Sequence, residues 1–368
     1  MRLFLSAPGL VTALGTDTGA TWDALLNARS GLREIKNFYG QKSFYLGALE
    51  KDLSTNEILA LALEQIAPQI RSTISKFGAN RVAVVIGTTV TGVESNYRVF
   101  LARARTGEFA GYDESKNTHC DPANFARSKF GLSSLAIGVS SACTSGQKAI
   151  IEAARLIRSG VCDAAICGGC DAIDTLTTLG FDALGVLSSE RANPFSKNRK
   201  GTNLGAGAGV FVLSREEISD VELLGWACNC DAYHVTKPNP TATMQIAAIK
   251  MALERSNLKN ADYASLHATG TLANDEMEAA AISATLPHTL AGGLKGALGH
   301  TLGAAGAIEM GVCYMAISRG VIPPHVAHGE MIEGANLCLE AKPASVNSAI
   351  NLSFAFGGDN VASVIGRR

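Results

Sequence analysis

Four short stretches combine residue types that can do chemistry. The first is Val139-Ser140-Ser141-Ala142-Cys143-Thr144-Ser145-Gly146. An apolar β run stops at a small-residue turn and a helical pattern begins, which sets Cys143 at the positive end of a helix. A thiol there is biased towards thiolate, and neighbouring backbone N–H groups can hold a developing oxyanion. A small buried cysteine at a turn is the structural alternative. The second stretch is Leu266-His267-Ala268-Thr269-Gly270-Thr271, with Asn274-Asp275 beyond it. A strand delivers a histidine into a loop of small hydroxyl residues that can approach an extended ligand. A histidine satisfied by loop backbone is the alternative here.

The third stretch runs from Lys295-Gly296-Ala297-Leu298-Gly299-His300 into Thr301-Leu302-Gly303-Ala304-Ala305-Gly306-Ala307-Ile308-Glu309. A lysine and a histidine five apart precede a helix of small residues, which can pack deep in a protein. A cation and an imidazole carried in with it are expensive to bury, which points to function. The fourth is Asn351-Leu352-Ser353-Phe354-Ala355-Phe356-Gly357-Gly358-Asp359-Asn360. It reads as a core strand with a turn, or as a glycine-rich loop carrying a movable aromatic.

The elements that must position these residues alternate between strand and helix. Val82 to Ile86 is a β-branched run closed by Gly87, and Ser134 to Val139 is a second strand. A helix is predicted over Ala149 to Ser159, then a short strand from Asp163 to Cys167 before Gly168-Gly169. Alternation of this kind predicts an α/β fold with largely parallel buried sheets. Charged Ser214-Arg215-Glu216-Glu217 separates two halves, and a strand restarts at Val221. The segment 91–130 reads as a helical excursion that covers the site or packs on a partner.

Four identities recur at an offset of 157 residues: Thr144 with Thr301, Gly146 with Gly303, Ile151 with Ile308 and Glu152 with Glu309. A duplicated α/β unit would give Cys143 and His300 equivalent helix starts, side by side across a pseudo-two-fold axis. Four matches are few enough to arise by chance.

Length and composition narrow the function classes. The chain has 368 residues, too many for one ordinary core. Hydrophobic residues make up 47% and charged residues 18%, which argues against disorder. With 32 basic and 33 acidic residues, it lacks the basic excess of a nucleic-acid binder. No apolar run is long enough to span a membrane. Met1 to Leu5 is apolar but stops at Ser6-Ala7-Pro8-Gly9, which suits a first strand better than a signal peptide. Nine cysteines, an odd number, argue against a secreted disulfide framework. Cys167 and Cys170 have half-zinc-site spacing without a second half, so a buried strand end is the better reading.

Taken together and in this order, the cysteine element, the His267 loop, the Lys295-to-Glu309 element and the Ser353-Phe354-Ala355-Phe356-Gly357-Gly358 loop resemble the elongating β-ketoacyl-acyl-carrier-protein synthases of the thiolase superfamily. Asp231-Ala232-Tyr233-His234-Val235-Thr236 and Pro194-Phe195-Ser196-Lys197-Asn198-Arg199-Lys200-Gly201 match the same family, so the resemblance runs the length of the chain. It implies a thiolase-like fold of two similar α/β halves, 1–215 carrying the cysteine and 216–368 carrying the histidines and the lysine, in α-β-α-β-α layers.

The resemblance further implies that Cys143 takes the acyl chain as a thioester, and that His267 and His300 bind the malonyl thioester carbonyl during decarboxylation. Lys295 would set the electrostatics beside His267 and Glu309. The N–H groups of Cys143 and Phe356 would form the oxyanion hole. Thr269 and Thr271 would contact the phosphopantetheine arm, with Phe356 as gate, Phe181 and Phe354 lining the pocket, and Asp275 in support. No metal or redox cofactor is implied; the substrates ride on the phosphopantetheine of an acidic acyl carrier protein. Lys197, Arg199 and Lys200 are either part of its docking patch or a solvated basic loop. The implied assembly is a homodimer, or a heterodimer with a sibling subunit, in the cytoplasm.

The chain departs from the family at Ala268 and Ala355, where glycine is usual, and at Ala206, where glutamate is usual. It is also shorter before Cys143 and between Cys143 and His267. A non-catalytic chain-length-factor-like subunit is the main rival, opposed by retention of Cys143, His267, Lys295 and His300. A degradative thiolase would need a late cysteine in a Cys-x-Gly setting, and Cys338 is followed by Leu339 and Glu340. A chain-starting synthase would carry a His/Asn pair.

Overall fold

The computed structural model describes residues 1–40 and 42–367. The first half opens with β1 (Phe4–Leu5) and β2 (Gly9–Val11) and adds a hairpin, β3 (Arg33–Ile35) and β4 (Phe44–Leu46). It continues with β5 (Val82–Gly87), β6 (Ala136–Val139), β7 (Ala164–Asp171) and β8 (Gly207–Ser214). The second half contains β9 (Glu222–Cys230), β10 (Tyr263–Leu266) and β11 (Leu290–Gly293). Short β12 (Val321–Ile322), β13 (Asn336–Leu337) and β14 (Lys342–Pro343) follow, then β15 (Ser348–Ala355) and β16 (Asp359–Gly366).

Twelve strands form one sheet in the order β13-β11-β10-β15-β16-β9-β1-β8-β7-β5-β6, with β2 also on β8. The order repeats. β5 pairs in parallel with β6 and β7, and β8 turns antiparallel. Likewise β10 pairs in parallel with β11 and β15, and β16 turns antiparallel. β1 and β9 close the two series and join them, with Phe4 opposite Glu222.

The residues explain the layers. In β5, Val82, Val84 and Ile86 pack with Ile58, Leu59 and Leu63 of the outer helix Thr55–Gln65, whereas Ala83 and Val85 face the central helices. Successive strand residues point to opposite faces, so a run buried on both sides is apolar throughout. Helix Ser145–Arg158 packs on β5 and β7, and helix Ala305–Arg319 on β8 and β15; the two also pack on each other. From Ala305 to Ile317 every residue is buried, as expected for a helix apolar all round. Helices Thr243–Arg255 and Leu272–Thr285 cover the outer face of the second half.

Two boundaries differ from the sequence expectation. β7 continues through Gly168-Gly169 to Asp171 instead of ending at Cys167. The glycines serve backbone contact: a Cβ on Gly169 would lie 2.7 Å from the Gly303 carbonyl oxygen and 2.9 Å from Gly146 Cα. The central helix also starts at Ser145, one turn before Ala149. Cys167 and Cys170, three apart on a strand, fall in hydrophobic clusters on opposite faces and share no ligand position. No helix among the described residues is long and apolar enough to cross a membrane.

The sheet–helix approach leads to a prediction. A Cβ on Gly209 of β8 would lie 2.7 Å from backbone atoms of Ala307 and Ile308. Gly209→Ala should therefore lower stability by about 1–3 kcal/mol, measured by chemical denaturation. An unchanged midpoint would mean that the helix can retreat freely.

Candidate active site

Cys143 sits between β6 and helix Ser145–Arg158, 6% exposed. The turn is tied by Ser145 Oγ, which accepts from the Ser141 N–H at 2.9 Å and donates to the Ala142 carbonyl at 2.5 Å. Thr144 Oγ1 donates to Asp359 Oδ2 at 2.6 Å, linking the turn to the base of the Phe356 loop. Ala142 is left-handed at φ 52°, and Gly299, at the same 157-residue offset, is left-handed at φ 77°. The two turns thus share a backbone feature as well as the four identities. Ala268 after His267 (φ 41°) and Leu302 after His300 (φ 51°) are also left-handed. Conformations of this kind cost about 1–2 kcal/mol each for non-glycine residues. Their concentration around three side chains is typical of a functional site.

The three side chains converge. His300 Nε2 lies 2.9 Å from Cys143 Sγ, the His267 and His300 ring centroids are 5.5 Å apart at 90°, and one donor atom from each residue falls within 4.8 Å of the others. Beneath them, Lys295 Nζ contacts Glu309 Oε1 at 2.6 Å, donates to the His267 carbonyl at 2.5 Å and approaches His267 Nδ1 at 3.3 Å. An ammonium can only donate. His267 Nδ1 therefore accepts, and the ring proton resides on Nε2.

Such a trio could in principle hold a metal ion. The lysine argues against it, because it turns His267 Nε2 into a donor and places a cation beside the cluster. The set suits binding of an oxygen that develops negative charge.

Burial dominates the electrostatics. It holds both His267 and His300 well below the ordinary imidazole range, with the Lys295 charge acting in the same direction, so both rings are neutral. Burial also pushes the Cys143 thiol up to about 12. The Lys295 charge and the N–H groups of Phe356 and Cys143 act on the sulfur and oppose that rise. The helix-end expectation of a thiolate is therefore corrected: desolvation outweighs the Lys295 charge and the two N–H groups, and it favours the thiol. Burial raises the Glu309 carboxyl, against the pull of Lys295.

The trio opens into a cavity of about 350 Å³. Phe181, Thr269, Thr271, Phe354 and Phe356 line it. The Phe181 and Phe356 rings stack at 5.5 Å, and the Phe354 ring stands edge-on to His267 at 6.2 Å. Thr269 and Thr271 Oγ1 atoms are 3.0 Å apart. Asp275 lies behind the loop, accepting from the Phe195 and Gly270 N–H groups.

The departures from the family pattern differ in their consequences. Ala268 carries real backbone strain, whereas Ala355 has ordinary extended backbone (φ −100°) and leaves the turn to Gly357 and Gly358. Ala206 is buried. The basic docking patch needs correction. Arg199 is 6% exposed and spends its guanidinium on Glu276 and the Ser196 carbonyl, so it presents no charge outside. Lys197 and Lys200 are exposed but pair with Glu330 and Glu190.

Two buried acids were missed from sequence. Glu278 accepts from the His267 and Ala268 N–H groups at 2.6 and 2.7 Å, and burial raises its carboxyl to about 8. It lies one helical turn beyond Asp275, a spacing that would have placed both on one face. Asp171 is wholly buried beneath the His300 turn. It follows two glycines and carries no sequence signal of its own.

The chain matches the Beta-ketoacyl synthase, N-terminal domain family over residues 62–218 and the Beta-ketoacyl synthase, C-terminal domain family over 221–328. It is 30% identical to the 3-oxoacyl-[acyl-carrier-protein] synthase 2 of Coxiella burnetii, covering 100% of this chain and 98% of that one. It is 29% identical to nodulation protein E of Rhizobium meliloti, over 98% and 97%. Its fold superposes, with a TM-score of 0.94 and 30% identity, on a chain of a ketosynthase in complex with its chain length factor from Xenorhabdus doucetiae, covering 100% and 98%. With the cysteine, two neutral histidines and buried lysine converging on one cavity, the chain belongs to the β-ketoacyl synthase family of carbon–carbon bond-forming condensing enzymes.

Proposed function

We propose that the chain elongates an acyl chain carried on an acyl carrier protein by decarboxylative condensation with a malonyl thioester, in fatty acid, polyene or polyketide synthesis. The 2.9 Å contact between Cys143 Sγ and His300 Nε2 carries this reading. In the first half-reaction His300 Nε2 takes the thiol proton as sulfur attacks the acyl thioester and passes it to the departing carrier sulfur, which leaves as the thiol. In the second, the malonyl carboxylate departs as carbon dioxide and its bonding electrons pass to the thioester oxygen as an enolate. His267 Nε2–H donates to that oxygen, and His300 does so once Cys143 is acylated and the His300 ring takes the Nε2–H tautomer. The enolate carbon attacks the acyl carbonyl, the N–H groups of Cys143 and Phe356 hold the tetrahedral oxyanion, and Cys143 leaves.

In this reading Lys295 and Glu309 orient His267, Thr269 and Thr271 receive the phosphopantetheine arm, and Phe356, Phe181 and Phe354 bound the acyl chain. Asp275 supports the loop, and no cofactor beyond the carrier's arm is required. Residues 1–215 and 216–368 form the two halves. Nine free cysteines suit a reducing cytoplasm. The likeness to a complex of ketosynthase and chain length factor supports either self-pairing or pairing with a sibling subunit.

The test is intact-mass spectrometry with acyl-carrier thioesters. The wild type should gain one acyl group, lose it on addition of malonyl-carrier, and release a product two carbons longer. Cys143→Ala should gain none. A wild type that stays unacylated while a co-purified sibling is acylated would move the activity to the sibling and make this chain the accessory subunit.

A further inference from the structure

Asp171, at the end of β7, has an unusual environment. Its side chain is fully buried, and among the described residues every donor that reaches it is uncharged. Oδ1 accepts from Thr88 Oγ1 at 2.6 Å and from the Thr89 and Val90 N–H groups at 3.0 Å. Oδ2 accepts from Thr89 Oγ1 at 2.8 Å, from the Gly303 N–H at 2.6 Å and from the Thr89 N–H, shared with Oδ1, at 3.1 Å. One carboxylate thus ties the loop after β5 in the first half to the turn carrying His300 in the second. There is no slack at the junction. A Cβ on Gly303 would lie 2.7 Å from Asp171 Oδ2 and 3.0 Å from Thr88 backbone, and one on Gly146 would lie 2.7 Å from the Gly303 carbonyl oxygen. Gly303 is therefore wedged between the Cys143 helix and Asp171, three residues from the imidazole that touches the nucleophile.

We infer that Asp171 is the positioning residue for His300: its carboxylate clamps the Gly303 N–H to the 88–90 loop and so fixes the distance between His300 Nε2 and Cys143 Sγ. The inference rests on the condensing-enzyme reading for its catalytic consequence, but not for the clamp itself. Burial pushes the Asp171 carboxyl up to about 6, against the bonds from Thr88, Val90 and Thr89 that favour the charged form. A protonated carboxyl puts an O–H where an oxygen accepted; a Thr88 or Thr89 hydroxyl can turn to accept it, but the backbone N–H bonds at that oxygen weaken, so the clamp loosens as pH falls through this value.

The titratable neighbours do not replace it. Cys170 beside it is held protonated by burial, Asp121 acts on Cys170, and Asp174 lies three residues on with Glu94 nearby. His300 itself is neutral.

Asp171→Asn cuts the clamp whichever way the amide sits. Each carboxylate oxygen takes two backbone N–H groups and a hydroxyl, so the amide NH₂ meets donors either at Thr89 and Val90 or at Thr89 and Gly303, and the tie between the 88–90 loop and Gly303 is broken in both orientations. Two readouts test this. Hydrogen exchange at 301–304 should speed at least tenfold in Asp171→Asn while the rest of helix Ala305–Arg319 is unchanged, and this needs no turnover. In condensation assays kcat should fall by roughly 10²-fold with the carrier-substrate KM unchanged, as expected for about 1 Å of misplacement. The wild-type acid limb near pH 6 should vanish in Asp171→Asn and move to higher pH in Thr89→Val, which removes one donor from the ionised form. If Asp171→Asn fails to fold, Thr89→Val carries the test alone. Unchanged exchange at 301–304, or an acid limb that ignores both substitutions, overturns the clamp. A wild type without condensing activity but with faster exchange in Asp171→Asn would overturn the functional reading and leave the clamp standing.

Discussion

In His300→Ala, acylation of Cys143 at pH 7 should fall by about 10²–10⁴-fold, and its pH dependence should change shape. The thiol is pushed up to about 12 by burial, so at pH 7 only about 10⁻⁵ of it is thiolate without help. The wild type avoids that deficit because Nε2 is 2.9 Å from the sulfur and moves with it as a proton acceptor. Removal of the imidazole forces the enzyme to draw on free thiolate. Between pH 7 and 10 the variant's rate should rise about tenfold per unit, because a thiol held above its usual value still has most of its ionisation ahead. The wild type should be nearly flat over the same range. Single-turnover acylation, followed by intact mass, measures both. A wild type as steep as the variant would mean that the proton never passes through His300, and the role of this residue would shrink to the second half-reaction.

The fold and the centre of the site were legible because their signals are local. β-Branched runs such as Val82 to Ile86 can only be buried strands, and a helix of small residues from Ala304 onward can only be deep. The 157-residue offset joined two such signals, and it carried Cys143 and His300 to hydrogen-bonding distance. Sequence reasoning failed where desolvation decides the outcome. A helix end favours thiolate in water-exposed settings, but Cys143 is 6% exposed and burial pushes its thiol up to about 12. Arg199 sits between two lysines and reads as surface charge, yet its side chain is buried, with its guanidinium bonded to the exposed Glu276 and the Ser196 carbonyl. Asp171 accepts backbone N–H groups from loops 81 to 132 residues away in sequence, and nothing near it announces those partners. Gly168-Gly169 read as a stop because glycine usually ends a strand; here it admits two other backbones.

Lys295 and Glu309 should behave as a coupled pair whose stability and activity can be separated. Their contact is 2.6 Å with 1% and 3% exposure, and Glu309 Oε2 has no hydrogen-bond partner among the described residues. Lys295→Met leaves a buried carboxyl with its counter-charge gone, which costs about 3–5 kcal/mol. Burial already raises Glu309, and loss of the lysine raises it further. A folded carboxyl above its unfolded value binds the extra proton, so stability declines as pH rises above the unfolded value, until the folded group itself titrates. The single variant should therefore be more stable at pH 5 than at pH 8. Adding Glu309→Gln removes the charge that needed a partner. The double variant should regain most of the lost stability and lose the pH slope. Activity should not return. His267 Nδ1 would still lack the ammonium that fixes its tautomer, and Nε2 would no longer be held as a donor to the enolate oxygen. A residual kcat about 10²–10³-fold below wild type is expected for loss of one such donor. Denaturation at the two pH values and turnover of all four proteins complete the cycle. A double variant no more stable than Lys295→Met would mean that the lysine's aliphatic packing, and not its charge, holds this part of the core.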